Sequence, residues 1–321
     1  MKWIAQAPSN IALIKYMGKK NKINNLPINS SLSYTLNRFK STVLLEYNKK
    51  IKQDLWKPLS ITKTNHTKNI FLLSISEQKR FLKHLSRIKS YFNYKGSFIV
   101  QSNNNFPISA GISSSASSFA ALTKCAILAI STIKQCPIPS ITKQANISRM
   151  ASGSSCRSFF SPWTLWKKNN LVLSPKINYN NLKHQIILID KKKKYISSTQ
   201  AHNLIETSTY FKTRHKRANN NLKKLFKAIK YKHWKNIYKI CWEEFFDLHR
   251  LFITSKPSFS YINQKTENAL LMLKELWKVK KDGPIITMDA GPNIHLLYRN
   301  DQTKLALNFK NYCIKQNYDI L

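Results

Sequence analysis

The sequence predicts an α+β protein of two domains, on three observations. Its 321 residues are 42% hydrophobic, too long for one small core and apolar enough to bury more than one. Strand-like and helix-like stretches alternate without a regular βαβ rhythm, which disfavours a doubly wound sheet. Lys, Asn and Pro crowd the segment between Trp166 and Lys183, which reads as the join. The expected domains are therefore 1–182 and 183–321.

The elements follow in order. Thr42–Tyr47, Ile70–Ile75 and Ser97–Gln101 are short apolar runs of strand character. From Glu77 to Phe92, the residues Phe81, Leu82, Leu85 and Ile88 share one helical face. After Gly111 a long helix is expected, with Phe119, Leu122, Cys125, Ala126 and Ala129 at buried-face intervals and serines suited to capping its start. Gln185–Asp190 is a continuous apolar run that reads as a buried strand opening the second domain. Helical periodicity then covers Asn219–Ala228, His233–Leu251 and Thr266–Val279. Ile285–Met288 and Ile294–Leu297 read as strands around a Gly-Pro turn, and a last helix covers roughly Gln302–Ile314.

Composition narrows the function classes. The five cysteines are scattered and never form a CxxC pair, which argues against a disulfide framework or a zinc site and for a reducing, cytoplasmic setting. The N-terminal MKWIAQAPSN lacks a signal-peptide apolar region, and the apolar runs fall short of a membrane span, so no membrane partner is expected. Net charge is +40, from 54 Lys and Arg against 14 Asp and Glu, a balance that attracts polyanions. Only nine of the basic residues are Arg, and the lysines are spread along the chain, so a chain-wide drift toward Lys, Asn and Ile explains the charge better than a nucleic-acid site.

Glycine is scarce, so its six positions carry information. Four lie in dense polar motifs. Gly18 ends PSNIALIKYMGK, a segment read either as an edge strand with solvated lysines or as a strand that feeds a Lys into a cleft; LPINSSLS follows at Leu26. Gly111 sits in NNFPISAGISSSASS, from Asn104 to Ser118, ahead of the long helix. Free N–H groups, a close-approach Gly and serine hydroxyls there make either a phosphate cradle or a Ser-rich helix cap, and the stretch is not a GxxxxGK[ST] loop. Gly153 lies in SGSSCRS, where a lone Arg157 among hydroxyls suits bidentate capture of a carboxylate or phosphate, or else the stretch is a surface loop. Gly291 follows Asp289 in TMDAGPN, where the carboxylate is aimed by a fixed turn or caps it.

Taken together and in order, NIALIKYMGK, LPINSSLS, NNFPISAGISSSASS, SGSSCRS, SSTQAH and DAGPN resemble the motifs of the diphosphomevalonate decarboxylase family of the GHMP kinase superfamily. The resemblance spans almost the whole chain. It implies a GHMP kinase-like α+β fold, an N-terminal domain similar to ribosomal protein S5 domain 2 joined to a ferredoxin-like C-terminal domain, with the site between them. It implies an enzyme that uses ATP and Mg²⁺ to convert (R)-5-diphosphomevalonate into isopentenyl diphosphate with loss of CO₂. It also implies a homodimer. Carried over, Asp289, Arg157 and Lys19 are the catalytic residues, and Asp289 contacts the 3-hydroxyl. Tyr16, Lys19, Ser154, Arg157 and Ser198 hold the substrate. Gly111, Ser114, Ser115 and Ser117 line the ATP phosphates with Asn104 and Asn105 on the nucleotide side, and Mg²⁺ is held mainly by the phosphates with Ser115.

The chain departs from the family pattern in places. Met17 replaces a usual Trp, a change of packing more than of chemistry. Ser113 and Ser118 replace Ala and Gly, and Ser161-Pro162 stands where a double Gly is usual. Ala201-His202 stands where Gly-Met is usual, and His202 either adds a phosphate contact or fills the gap. The same chemistry on 5-phosphomevalonate, or a kinase-only relative, is the nearest alternative. The pairing of Asp289 with Arg157 argues against the latter, since leaving-group formation and carboxylate placement are both provided for. A non-catalytic polyanion binder is the alternative of another class.

Overall fold

The computed structural model describes residues 1–59, 72–107, 114–169, 172–190 and 195–321. Its first half is built around one long strand. β1 (Lys2–Ile14) pairs antiparallel with β4 (Ser31–Tyr47), with a register shift between Pro8 and Ser9. Over its length β4 also pairs with β6 (Phe98–Asn104) and β7 (Trp163–Trp166). β5 (Leu55–Pro58) adds to β6 in parallel, and β8 (Val172–Leu173) pairs with β7. A small hairpin of β2 (Lys19–Asn21) and β3 (Leu26–Pro27) lies between β1 and β4.

Three helices accompany this sheet. α1 (Ile75–Tyr91) starts in a capping box in which Ser74 and Glu77 satisfy each other's backbone N–H groups, and it buries Phe81, Leu85 and Ile88 as the periodicity predicts. α2 (Ser114–Lys134) is long and apolar enough by composition to cross a membrane. It is mostly buried, packed on β1 and β4, so here the apolar face builds a core. α3 (Ile141–Arg149) leads into a 3₁₀ turn, Gly153–Phe159.

The second half opens with β9 (Lys183–Leu188) and closes with β12 (Asp319–Ile320). Between them come α4 (Ser198–Leu204), α5 (Phe211–Lys230), α6 (Trp234–Ile253), α7 (Gln264–Lys280), β10 (Ile285–Met288), β11 (Ile294–Tyr298) and α8 (Thr303–Lys315). The sheet order β10-β11-β9-β12 is antiparallel throughout. Second, third, first and fourth strands side by side, with helices in both crossovers, make the ferredoxin-like arrangement.

Three expectations need correction. Ile70 and Phe71 lie outside the described residues, residues 72–74 form no strand, and Ile75 opens α1. Leu55–Pro58, unremarkable in sequence, is an edge strand whose closing Pro58 is tolerated there. The helix expected over Asn219–Ala228 begins at Phe211 and carries Arg214 on its buried face.

That arginine belongs to a buried network joining the two halves. Glu244, fully buried on α6, accepts from the Lys15 backbone N–H at 3.0 Å, from the Arg214 guanidinium and from Asn221 Nδ2 at 2.8 Å. Arg214 Nη1 also reaches Asp247 Oδ2 at 2.8 Å. Removing one partner of such a network leaves an uncompensated buried charge. Glu244→Ala should therefore lose about 3–5 kcal/mol of stability in equilibrium urea unfolding. A loss below about 1 kcal/mol would mean that the network does not hold the halves together.

Candidate active site

A cleft of about 240 Å³ lies where the end of β1, the 3₁₀ turn, α4 and the loop after β10 converge. Its closed end is built on Lys15. β1 ends at Ile14, so Lys15 leaves the strand and its side chain turns inward, 2% exposed. The ammonium donates to Ala12 O at 2.6 Å and to Asp289 Oδ1 at 2.7 Å. Asp289 follows β10 directly, and the carboxylate is 21% exposed, on the cleft side. Burial alone would raise its pKa, but Lys15, His295 and Arg157 outweigh burial and hold the carboxyl at about 2. Burial lowers the pKa of Lys15, and the Asp289 carboxylate opposes that shift.

Arg157 faces the same point from the 3₁₀ turn, 3% exposed. Its Nε donates to Asn10 Oδ1 at 3.0 Å and its Nη1 to Ser31 Oγ at 3.2 Å, which fixes the plane of the guanidinium. Asn10 is itself held by a bond to Ser158 Oγ at 2.9 Å. Two cations thus meet one carboxylate, leaving positive charge for an anionic ligand group.

The other end of the cleft is cationic and hydroxylic. Tyr16 lies between Trp166 and His202, with ring centroids at 4.7 and 4.8 Å, and packs so closely on Gly153 that a Cβ there would sit 2.5 Å from its ring. Lys19 lines the cleft with Arg80. Burial and then the neighbouring Arg80 and Lys22 lower its pKa, with Glu206 opposing. Ser152, Ser154, Ser197 and Ser198 add hydroxyls, and Ser115 enters from the start of α2, its Oγ 3.4 Å from Ser152 Oγ.

The expected residues divide cleanly. Tyr16, Lys19, Ser115, Ser154, Arg157, Ser198 and Asp289 all line one cleft. Gly111 lies outside the described residues. Ser114 begins α2, whose free N–H groups and dipole suit an oxyanion. Ser117, expected at the phosphates, is fully buried, bonded to Ser41 Oγ at 2.7 Å and Ser114 O at 3.2 Å, and does not line this cleft. Asn104 Oδ1 accepts from Ser41 Oγ at 2.6 Å, tying β6 to β4. Asn105 bridges Lys40 N and Arg38 O, while Asn104 accepts from the Ser41 and Ser118 hydroxyls, and neither amide lines this cleft. The cation touching Asp289 is Lys15, which was not among the expected site residues. Lys15 was visible as a lysine one step past an apolar strand. Arg80, on the exposed face of α1, had no local signal at all.

Among the described residues no three His, Cys, Asp or Glu side chains form a metal cluster, and Asp289 is engaged by Lys15. The donor set fits a Mg²⁺ carried on phosphate oxygens and touched by a hydroxyl such as Ser115, since that ion keeps several waters and few protein ligands. Met17 is buried with Ala201, Ile205, Leu248, Leu251 and Phe252, in keeping with a packing role.

Comparison with known proteins is consistent along the chain. The family model described as diphosphomevalonate decarboxylase-like N-terminal domain matches residues 7–174, and that of the mevalonate 5-diphosphate decarboxylase C-terminal domain matches residues 185–320. A diphosphomevalonate decarboxylase from Debaryomyces hansenii is 30% identical over 94% of this chain and 81% of its own length. The crystal structure of a mevalonate diphosphate decarboxylase from Legionella pneumophila superposes with a TM-score of 0.93 at 53% identity, over 100% of both chains. A structure of MDDEF in complex with MVAPP, AMPPCP and magnesium gives 0.86 at 26% identity, over 100% of this chain and 96% of that one.

The Lys15–Asp289 geometry predicts a titration. With its pKa at about 2, Asp289 should stay ionised across the range above about pH 3, and its carboxyl ¹³C resonance should be flat from pH 7 downward to there. In Lys15→Met the largest charge opposing burial is gone, so the same resonance should titrate above about pH 4. Titration near the ordinary carboxyl value in the unmutated protein would refute the pairing.

Proposed function

The chain belongs to the diphosphomevalonate decarboxylase family, and from that premise we propose that it decarboxylates (R)-5-diphosphomevalonate to isopentenyl diphosphate at the expense of ATP. One observation carries the reading: a carboxylate, Asp289, is held ionised by Lys15 beside a second fixed cation, Arg157, at the closed end of a cleft whose other end is lined by Lys19 and Arg80. That is the charge pattern of a small molecule with a carboxylate and hydroxyl at one end and a diphosphate at the other.

In this reading Asp289 accepts a hydrogen bond from the 3-hydroxyl and aligns its oxygen. Arg157, pinned by Asn10 and Ser31, takes the substrate carboxylate, with Ser154 nearby. Tyr16, Lys19 and Ser198 hold the diphosphate. Ser114 and Ser115, at the start of α2, face the nucleotide phosphates and Mg²⁺. ATP with Mg²⁺ supplies the phosphoryl group that turns a tertiary hydroxyl into a good leaving group. As that phosphate departs, positive charge builds at C3, and the carboxylate on Arg157 releases its bonding pair as CO₂ leaves. Arg157 is therefore set to orient the carboxylate so that the breaking bond overlaps the developing empty orbital.

The same reading divides the chain into an ATP-binding domain over 1–182 and a second domain over 183–321, supported by the two separate main sheets. It also includes a cytoplasmic homodimer, without a membrane or nucleic-acid partner. Five free cysteines support the reducing location.

The test is turnover with ATP, Mg²⁺ and 5-diphosphomevalonate, following CO₂ and ADP together. Equal release of both is expected, falling by about 10² to 10⁴-fold in Asp289→Ala. ADP without CO₂ would mean a kinase. Neither product, with 5-phosphomevalonate also tried, would overturn the enzymatic reading.

A further inference from the structure

His202 has no use in the chemistry above, yet it lines the cleft while only 7% exposed. It sits on the short helix α4 with its ring against Tyr16. Its Nδ1 accepts the backbone N–H of Gly18 at 3.1 Å. A ring nitrogen that accepts an N–H must present a lone pair, so in the neutral imidazole the proton lies on Nε2. Gly18 has a φ of +94°, and a Cβ there would lie 2.5 Å from Ile28 Cδ1 and 2.8 Å from Phe211 Cε2, so the donor position requires glycine.

Charge points the same way. Burial first, and then Lys19, lower the His202 pKa to about 3, so the ring is neutral at ordinary pH. Among the described residues Nε2 has no hydrogen-bond partner. An N–H donor in a cleft, beside Lys19 and against Tyr16, is suited to an oxyanion. Lys19 and Arg80 already supply charge there, and a third cation would repel both. A neutral donor adds a directional bond without that repulsion.

We infer that His202 Nε2–H is a positioning donor to the diphosphate end of the substrate, its tautomer set by the Gly18 amide. The inference rests on the substrate orientation proposed above. The position is occupied by Met in the motif this chain resembles, and a thioether has no proton to give. His202 thus departs from that motif in a way that adds a side-chain donor to the cleft.

Three measurements test it, beginning with ¹⁵N resonances of His202. They should show the Nε2–H tautomer in the free protein, and the Nε2 signal should move when inorganic pyrophosphate is added. An Nδ1–H tautomer overturns the proposal. Calorimetry should show pyrophosphate binding about 10- to 100-fold weaker in His202→Met, with His202→Gln, whose amide reaches a similar place, recovering most of it. In turnover, His202→Met should raise KM for 5-diphosphomevalonate by a similar factor while kcat stays within about two-fold. Unchanged pyrophosphate affinity and KM would overturn the inference, as would equal losses in both variants accompanied by a lower Tm and kcat. If the unmutated protein binds pyrophosphate through His202 but releases no CO₂, the decarboxylase reading fails and the diphosphate contact stands.

Discussion

The structure depends on burying one ammonium group. Lys15 touches five separate parts of the chain: its Nζ meets Ala12 O and Asp289, its N–H donates to Glu244, and its carbonyl accepts from Asn29 Nδ2 at 3.0 Å and Arg214 Nη2 at 3.5 Å. These partners come from β1, the loop after β3, the helices α5 and α6, and the turn after β10. A buried ammonium without partners costs several kcal/mol, and partners from both halves become available only once the halves have docked. The requirement that stabilises the junction is therefore the same one that sets Asp289 in place. Pre-organisation of the cleft is a by-product of folding rather than an addition to it.

The cleft so formed is charged out of balance. Lys15 and Arg157 face Asp289, while Lys19 and Arg80 stand at the other end and the nearby Glu206 is bonded to Lys22 at 2.8 Å. Burial first, and then repulsion from the like charges of Arg80 and Lys22, lower the proton affinity of Lys19 there. A ligand with one carboxylate and two phosphates relieves both ends at once, so binding energy is concentrated at two points and the chain between them is aligned. The +40 surface contributes a long-range field that salt screens within about 8–10 Å, whereas the cleft cations act at contact distance. The first raises encounter rates for any anion, and only the second selects one.

What was legible in the sequence was what local pattern decides. The apolar faces of α1 and α2, the strands β10 and β11, and the placement of Gly18 and Gly153 all follow from periodicity or from backbone demands. Ser117 is ambiguous in sequence because a hydroxyl beside a glycine-bearing loop has the same signature whether it meets a phosphate or another strand. The deciding partner, Ser41, is 76 residues away. Asn104 and Asn105 share that ambiguity. Lys15 and Lys19 are four apart on a segment that leaves its strand between them, so no strand or helix period could say which one turns toward Asp289. Arg80 and Glu244 are ordinary charged positions on helices until another element packs against them. Side chains whose roles are assigned across the fold cannot be read along the chain.

Asp289 at a pKa of about 2 is a poor proton acceptor for an alcohol, and the site geometry explains why that is no defect. Phosphoryl transfer passes through a loose transition state in which the attacking oxygen has formed little bond and lost little of its proton affinity. A strong base would gain little at that moment, while misalignment of the oxygen would lose a great deal. A carboxylate clamped by Lys15 is weak as a base and good as a fixed acceptor, because the same ion pair that lowers its basicity removes its freedom to rotate. Arg157 extends the logic to the second step. Pinned through Nε and Nη1 by Asn10 and Ser31, it has one orientation in which to present a carboxylate to the carbon that becomes electron-poor. Both groups contribute direction more than reactivity, and in both the direction is set by a buried polar partner that never meets the substrate.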